Sequence, residues 1–128
     1  MITDVGAIAL LTYQFSNLQS DVWGLFTNNV TITNSTVFAN LTEAAWTGYA
    51  RVTVGALNTA TIVGGRASTT PTVQPTFTNG SAGGVTFYGW FLLDLSGNIL
   101  IAAVNFGSTT IPAGLTFALT ATITDKQE

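Results

Sequence analysis

The stretch Val85-Thr86-Phe87-Tyr88-Gly89-Trp90-Phe91-Leu92-Leu93-Asp94 decides the fold class. It is dense in aromatic and β-branched residues, which suit the pleated surface of a strand. Read with a period of two, one face carries Val85, Phe87, Gly89, Phe91 and Leu93, and the other Thr86, Tyr88, Trp90, Leu92 and Asp94. Both faces are largely apolar. A strand covered on one side only alternates apolar with polar residues. This one is therefore expected to be covered on both sides, by a second layer and by either a partner or the chain's own N-terminal segment.

Working outward, Leu95-Ser96-Gly97-Asn98 is a turn signal, and residues 99–106 read as the antiparallel mate. Pro112-Ala113-Gly114 marks another turn. In the last strand, 115–123, Leu115, Phe117, Leu119, Ala121 and Ile123 are expected to point inward, and Thr116, Ala118, Thr120, Thr122 and Thr124 outward. Upstream, strands are expected at 22–26, 30–33, 49–54 and 59–63, with a helical turn within 38–46. Residues 64–84, rich in Gly, Ser, Thr and Pro, read as long loops around one short strand near 73–78. Strand and turn signals at this spacing predict an all-β chain, an antiparallel β-sandwich, with a jelly roll as the favoured variant. The sandwich is expected over 21–128. Residues 1–20 form a short N-terminal helix or an extended arm, because Val5, Ile8, Leu11 and Phe15 fall at helical spacing.

With 128 residues the chain suits one domain, and 47% apolar residues can supply its core. There is no Cys for a disulfide. Charge is the informative quantity: 7% of residues are Asp, Glu, Lys or Arg, against about 25% in an ordinary domain. The surface is therefore built from Thr, Ser, Asn and Gly. With a net charge of −3, copies of the chain repel one another little. Covering such a surface with a partner strands few ions, and a hydroxyl costs less to desolvate than an unpaired charge. The composition fits a protein whose surface becomes interface; a monomeric secreted β-protein is the competing reading.

Arg51, Arg66 and Lys126 are too few to track phosphates, so no nucleic-acid partner is expected. No apolar run reaches the ~18 residues of a membrane helix. The acidic start Met1-Ile2-Thr3-Asp4 does not read as a signal peptide. The absence of His removes the usual general base and the commonest metal ligand. A Ser or Thr nucleophile would need Lys126, in the polar tail. Asp21, Glu43 and Asp94 remain as candidates for a carboxylate pair, but each reads more simply as a turn or cap residue. No catalytic residue, metal site or cofactor is expected. The glycine-rich run 79–84 lacks the Gly-Lys-Ser/Thr ending of a phosphate loop. The sequons at Asn29, Asn34, Asn40 and Asn79 read as turns. Interface candidates are Val5, Ile8, Leu11, Phe15, Trp23, Trp46, Tyr88, Trp90 and Leu92. Trp90 leads them, because Phe87 and Phe91 already fill the opposite face of its strand.

Leu25-Phe26-Thr27-Asn28-Asn29-Val30-Thr31 resembles an L-(F/Y)-x-N-N-x-T opening common in small proteins of tailed phages and viral metagenomes. Phe38-Ala39-Asn40-Leu41-Thr42-Glu43-Ala44-Ala45-Trp46-Thr47-Gly48-Tyr49-Ala50 resembles their F-T-E-A-x-F-x-G-Y-A block. Residues 85–91 resemble their I-Y-G-Y strand and residues 111–115 their G-D-x-L final strand, although Leu115 stands where an acid often follows the glycine. The resemblance runs in order through most of 5–124. It implies a virion structural protein assembled in the host cytoplasm, preferably a head decoration or cement protein whose partners are the major capsid protein and its own copies. A tail or fibre module binding host-surface carbohydrate is the alternative, followed by a carbohydrate-active enzyme.

Overall fold

The computed structural model describes residues 19–94 and 99–124. Val5, Ile8, Leu11 and Phe15, the proposed arm and the 95–98 turn lie outside the described residues. The described chain is all-β apart from one 3-10 turn, Phe38–Asn40. Its strands are β1 (Val22–Phe26), β2 (Val52–Thr53), β3 (Thr61–Val63), β4 (Arg66–Thr69), β5 (Thr76–Thr78), β6 (Val85–Leu93), β7 (Leu100–Ile111), β8 (Thr116–Ala118) and β9 (Ile123–Thr124). Every ladder is antiparallel. The strands form a four-stranded sheet in the order β2-β1-β6-β7, a three-stranded sheet β3-β4-β9, and the pair β5-β8.

The deciding strand, β6, lies inside the four-stranded sheet and is covered on both faces. On one, Trp90 and Leu92 join Trp23 and Leu25 of β1, Phe77 of β5 and Leu119 in the main core. On the other, Phe91 and Leu93 pack with Phe26 and Leu41. The second cover differs from expectation. Val30, Ile32, Phe38 and Leu41, from the connection after β1, lie over that face, with no partner molecule needed. Residues 30–33, expected as a strand, are irregular: their apolar side chains pack onto a sheet that is already formed, and their backbone joins no ladder.

The simple alternation along β6 also fails in one place. Phe87 belongs to the main core together with Trp90 and Leu92, although its numbering parity groups it with Phe91. The register explains this. Phe87 pairs with Thr109 and Gly89 with Asn105, so β7 carries extra residues opposite Tyr88. Such a bulge re-aims the side chains on either side of it.

Two glycines set the contact between β1 and β6. Gly24 lies opposite Phe91, and Phe26 opposite Gly89. Each phenylalanine ring covers the facing glycine. A Cβ on Gly24 would stand 2.6 and 2.8 Å from the Cε atoms of Phe91, closer than unbonded carbons approach.

The 64–84 segment holds more structure than its composition suggests. Val63 pairs with Arg66 across Gly64-Gly65, whose φ angles are +60° and +77°. Two positive φ values are what a two-residue hairpin turn requires, so this Gly-Gly closes β3 onto β4. In the last segment, Leu119 and Ala121 are buried as expected, but Leu115 is exposed.

Asn79 is fully buried. Its amide NH2 donates to the carbonyls of Gly83 and Ile111, both at 2.9 Å, and its Oδ1 accepts from the Ser81 N–H at 2.8 Å. This sequon asparagine ties the β5–β6 loop to the end of β7. Asn79→Ala would remove three hydrogen bonds to backbone groups and is expected to lower the unfolding free energy by about 2 kcal/mol, read from the urea midpoint. An unchanged midpoint would show the network to be dispensable.

Candidate interaction surface

β7 is the longest strand and forms an edge of the four-stranded sheet. Its sequence, Leu-Ile-Ala-Ala-Val-Asn-Phe-Gly-Ser-Thr-Thr-Ile, contains no charged residue and no proline. Edge strands are usually protected by charges, prolines or covering segments, because their free N–H and C=O groups template pairing with another chain. Among the described residues no further strand pairs with the outer side of β7. Apolar side chains are exposed along it, at Ile101, Val104 and Phe106, and at Ile99 just before it. The Phe106 ring, 43% exposed, stands edge-on to Phe87 at 5.7 Å and tilted to Phe117 at 6.4 Å. Leu115, two residues from Phe117, is exposed as well.

The described candidates chosen from sequence, Trp23, Trp46, Tyr88, Trp90 and Leu92, fall elsewhere. Trp23, Trp90 and Leu92 are buried in the main core. The two indoles meet edge to face at 5.2 Å. Trp90 is therefore covered by its own chain, correcting its expected role as an exposed anchor: β1 and the β5–β8 side supply the cover assigned to a partner. Trp46 is half-buried and donates from its indole N–H to the Thr78 carbonyl at 2.9 Å. Tyr88 is half-buried over the second core. Val104 and Phe106 were not among the candidates. Their signal was present, an ion-free strand beside the most apolar one, but being an edge is a property of strand order.

One cluster of ionisable groups is built into the fold. Glu43, bridged to Phe26 at the end of β1, accepts from Arg51 Nε and Nη2 at 2.8 Å and from the Tyr49 hydroxyl at 2.9 Å. The Tyr49 oxygen in turn accepts from the Leu25 N–H at 3.1 Å, and the Arg51 guanidinium lies 5.6 Å from the Phe38 ring centre. Burial by itself would raise the Glu43 carboxyl, but the hydrogen bonds from Arg51 and Tyr49 and the charge of Arg51 together outweigh it, leaving the pKa below 4.5. Burial and the neighbouring carboxylate push Tyr49 well above its ordinary value. Both Glu43 oxygens are engaged, which makes the cluster a clamp between β1 and the 43–51 loop.

A carboxylate held down in the folded state contributes stability above its unfolded pKa and loses it as pH falls through the lower folded value. Glu43→Gln is therefore expected to cost about 1 kcal/mol at pH 7, a modest figure because the ion pair is partly exposed. The difference from wild type should shrink as pH drops below 4.5. Urea titrations of both proteins across that range would read it, and a pH-independent difference would contradict the clamp.

Asp94 does not face Glu43 across a cleft. Glu43 sits beside Phe26, whereas Asp94 follows Leu93, which pairs with Val22 at the other end of β1. The two ends are four residue steps apart, roughly 13 Å at the usual rise per residue, beyond the ~5–9.5 Å of a glycosidase pair. Asp94 closes the β6–β7 turn instead, its carboxylate accepting from the Ile99 N–H at 2.9 Å. A shallow cleft between β3, β4 and β9 is lined by Thr61, Ser68, Thr69, Thr122 and Thr124 and has no aromatic wall on which a sugar could stack. Among the described residues no metal-binding group of His, Cys, Asp or Glu gathers, and no helix is long and apolar enough to cross a membrane. Comparison with protein-family models, curated proteins and solved structures finds no match.

Proposed function

We propose that this chain is a non-enzymatic structural protein of a bacteriophage particle, acting as a head decoration protein that binds the major capsid protein and its own copies. The observation that carries the reading is the ion-free edge strand β7 with Val104 and Phe106 exposed on it, in a chain with only 7% charged residues. Unprotected edges and exposed apolar strips are a liability in a solitary protein and an asset in an assembled one. The motifs at 25–31 and 38–50 support the phage assignment by resemblance. The sandwich reading goes with it: the four-stranded sheet and the β5–β8 pair contribute to one core, as two layers would, and a jelly roll would have the two smaller sheets act together as the second layer.

Mechanically, such a module clamps neighbouring subunits by burying neutral, hydroxyl-rich surface. The test is the stoichiometry of the protein in purified particles. A copy number comparable to that of the major capsid protein supports decoration. A copy number matching a tail component, or absence from the particle, overturns it.

A further inference from the structure

We propose that two copies of this chain pair through β7, edge to edge and antiparallel, about a two-fold axis at Val104. The inference deepens the assembly reading above by naming the surface and its occupant.

The four-stranded sheet ends in β7 on one side and in β2, two residues long, on the other. Only β7 offers a run long enough for a stable ladder. Its unbulged part, from Ala102 to Asn105, is in regular register with β6.

The occupant follows from charge and from register. A second copy of β7 brings no ion against the first, so self-pairing opposes no like charges. In an antiparallel ladder, directly opposed residues point to the same face, so the two strands of a symmetric pair must be related by a residue opposite itself. Ala102 and Val104 lie on the main-core face: Ala102 packs there directly and Val104 pairs with Trp90. Phe106 reaches the same side, against Phe87. Ala103 belongs to the other face. With Val104 opposite itself, Phe106 of each copy falls opposite Ala102 of the other. The large exposed ring then meets the small residue, and the half-exposed valines meet each other. On the other face Ala103 falls opposite Asn105. The result is a continuous eight-stranded sheet across the axis, and an isologous contact of the kind symmetric dimers use.

The chain has no cysteine, which allows a clean test on the full-length protein. Val104→Cys introduces the only thiol, placed opposite its own symmetry mate at a separation a disulfide can span. Mild oxidation is expected to give a covalent dimer on a non-reducing gel, while Ala113→Cys, in the exposed turn after β7, should not. In sedimentation equilibrium, Val104→Glu and Val104→Lys should each weaken self-association at least about tenfold by opposing like charges. An equimolar mixture of the two should associate again. Circular dichroism checks that each variant is folded.

A wild-type chain that stays monomeric at hundreds of micromolar, or a mixture that fails to associate, overturns the proposal. An unreactive Val104→Cys also overturns it and shows that another segment or partner covers the edge. The two readings fail separately. A monomer abundant on capsids defeats the pairing alone, and a β7 dimer absent from particles defeats the decoration role alone.

Discussion

Replacing Gly89 with alanine is expected to destabilise the fold by about 3 kcal/mol or more, at the upper end of what overpacking costs. The added methyl would collide with the Val104 carbonyl oxygen of β7 and stand 2.6 and 2.8 Å from the Cζ and Cε1 atoms of Phe26. One obstacle is a ring with little room to turn, since Phe26 is itself fully buried. The other is backbone of the neighbouring strand. Relief requires β6 and β7 to part at the place where the ladder is already irregular. Gly83→Ala, at a position open to space, serves as the control and should stay within about 0.5 kcal/mol of wild type. Urea unfolding followed by circular dichroism distinguishes the two, and equal midpoints would mean that Phe26 does not lie over Gly89 in solution.

Trp23→Ala carries the other large effect, about 3–5 kcal/mol. Trp23 is fully buried, edge-on to Trp90, at the centre of the main core. Truncation would leave a hole between the four-stranded sheet and the residues facing it. Trp23→Phe should cost much less, under about 2 kcal/mol, for two reasons. The phenyl ring retains most of the apolar contact. The indole N–H it removes is buried with no hydrogen-bond partner among the described residues, and an unmade bond of that kind is itself destabilising. Trp46 and Trp90 remain as fluorescent reporters in both variants. Comparable losses for Ala and Phe would indicate that the N–H has a partner and that the edge-on packing is not what matters.

Both predictions rest on features that differ in how visible they are in the sequence. The strands at 22–26 and 85–93 are legible because dense β-branched and aromatic runs bounded by turn residues have few other uses. The buried alternation of Leu119 and Ala121 is legible for the same reason, a period of two being a local property. The glycine–aromatic pairs are not, because Gly24 and Phe91 become neighbours only through a register spanning about half of the chain. The Gly64-Gly65 hairpin was readable in principle, as two glycines between short β-prone runs, but the surrounding Gly, Ser, Thr and Pro obscured it. The burial of Trp90 was not legible for a related reason. A large aromatic on an all-apolar strand can face a partner or its own core, and residue type does not separate the two. The cover supplied by Trp23, Phe77 and Leu119 put Trp90 inside, while the strand order put Val104 and Phe106 on an edge.

What the amino-acid sequence determined by itself is the class: an extended, antiparallel architecture, because apolar residues recur at the strand period between turn signals, and a surface poor in ions, because few ionisable residues exist to place on it. What only the tertiary structure decided is which of those strands ends the sheet and which side chains remain outside. Propensity and periodicity act between near neighbours along the chain. Edges, bulges and covered faces come from pairing between segments tens of residues apart, where the free energy of burying one face selects among registers that are locally equivalent.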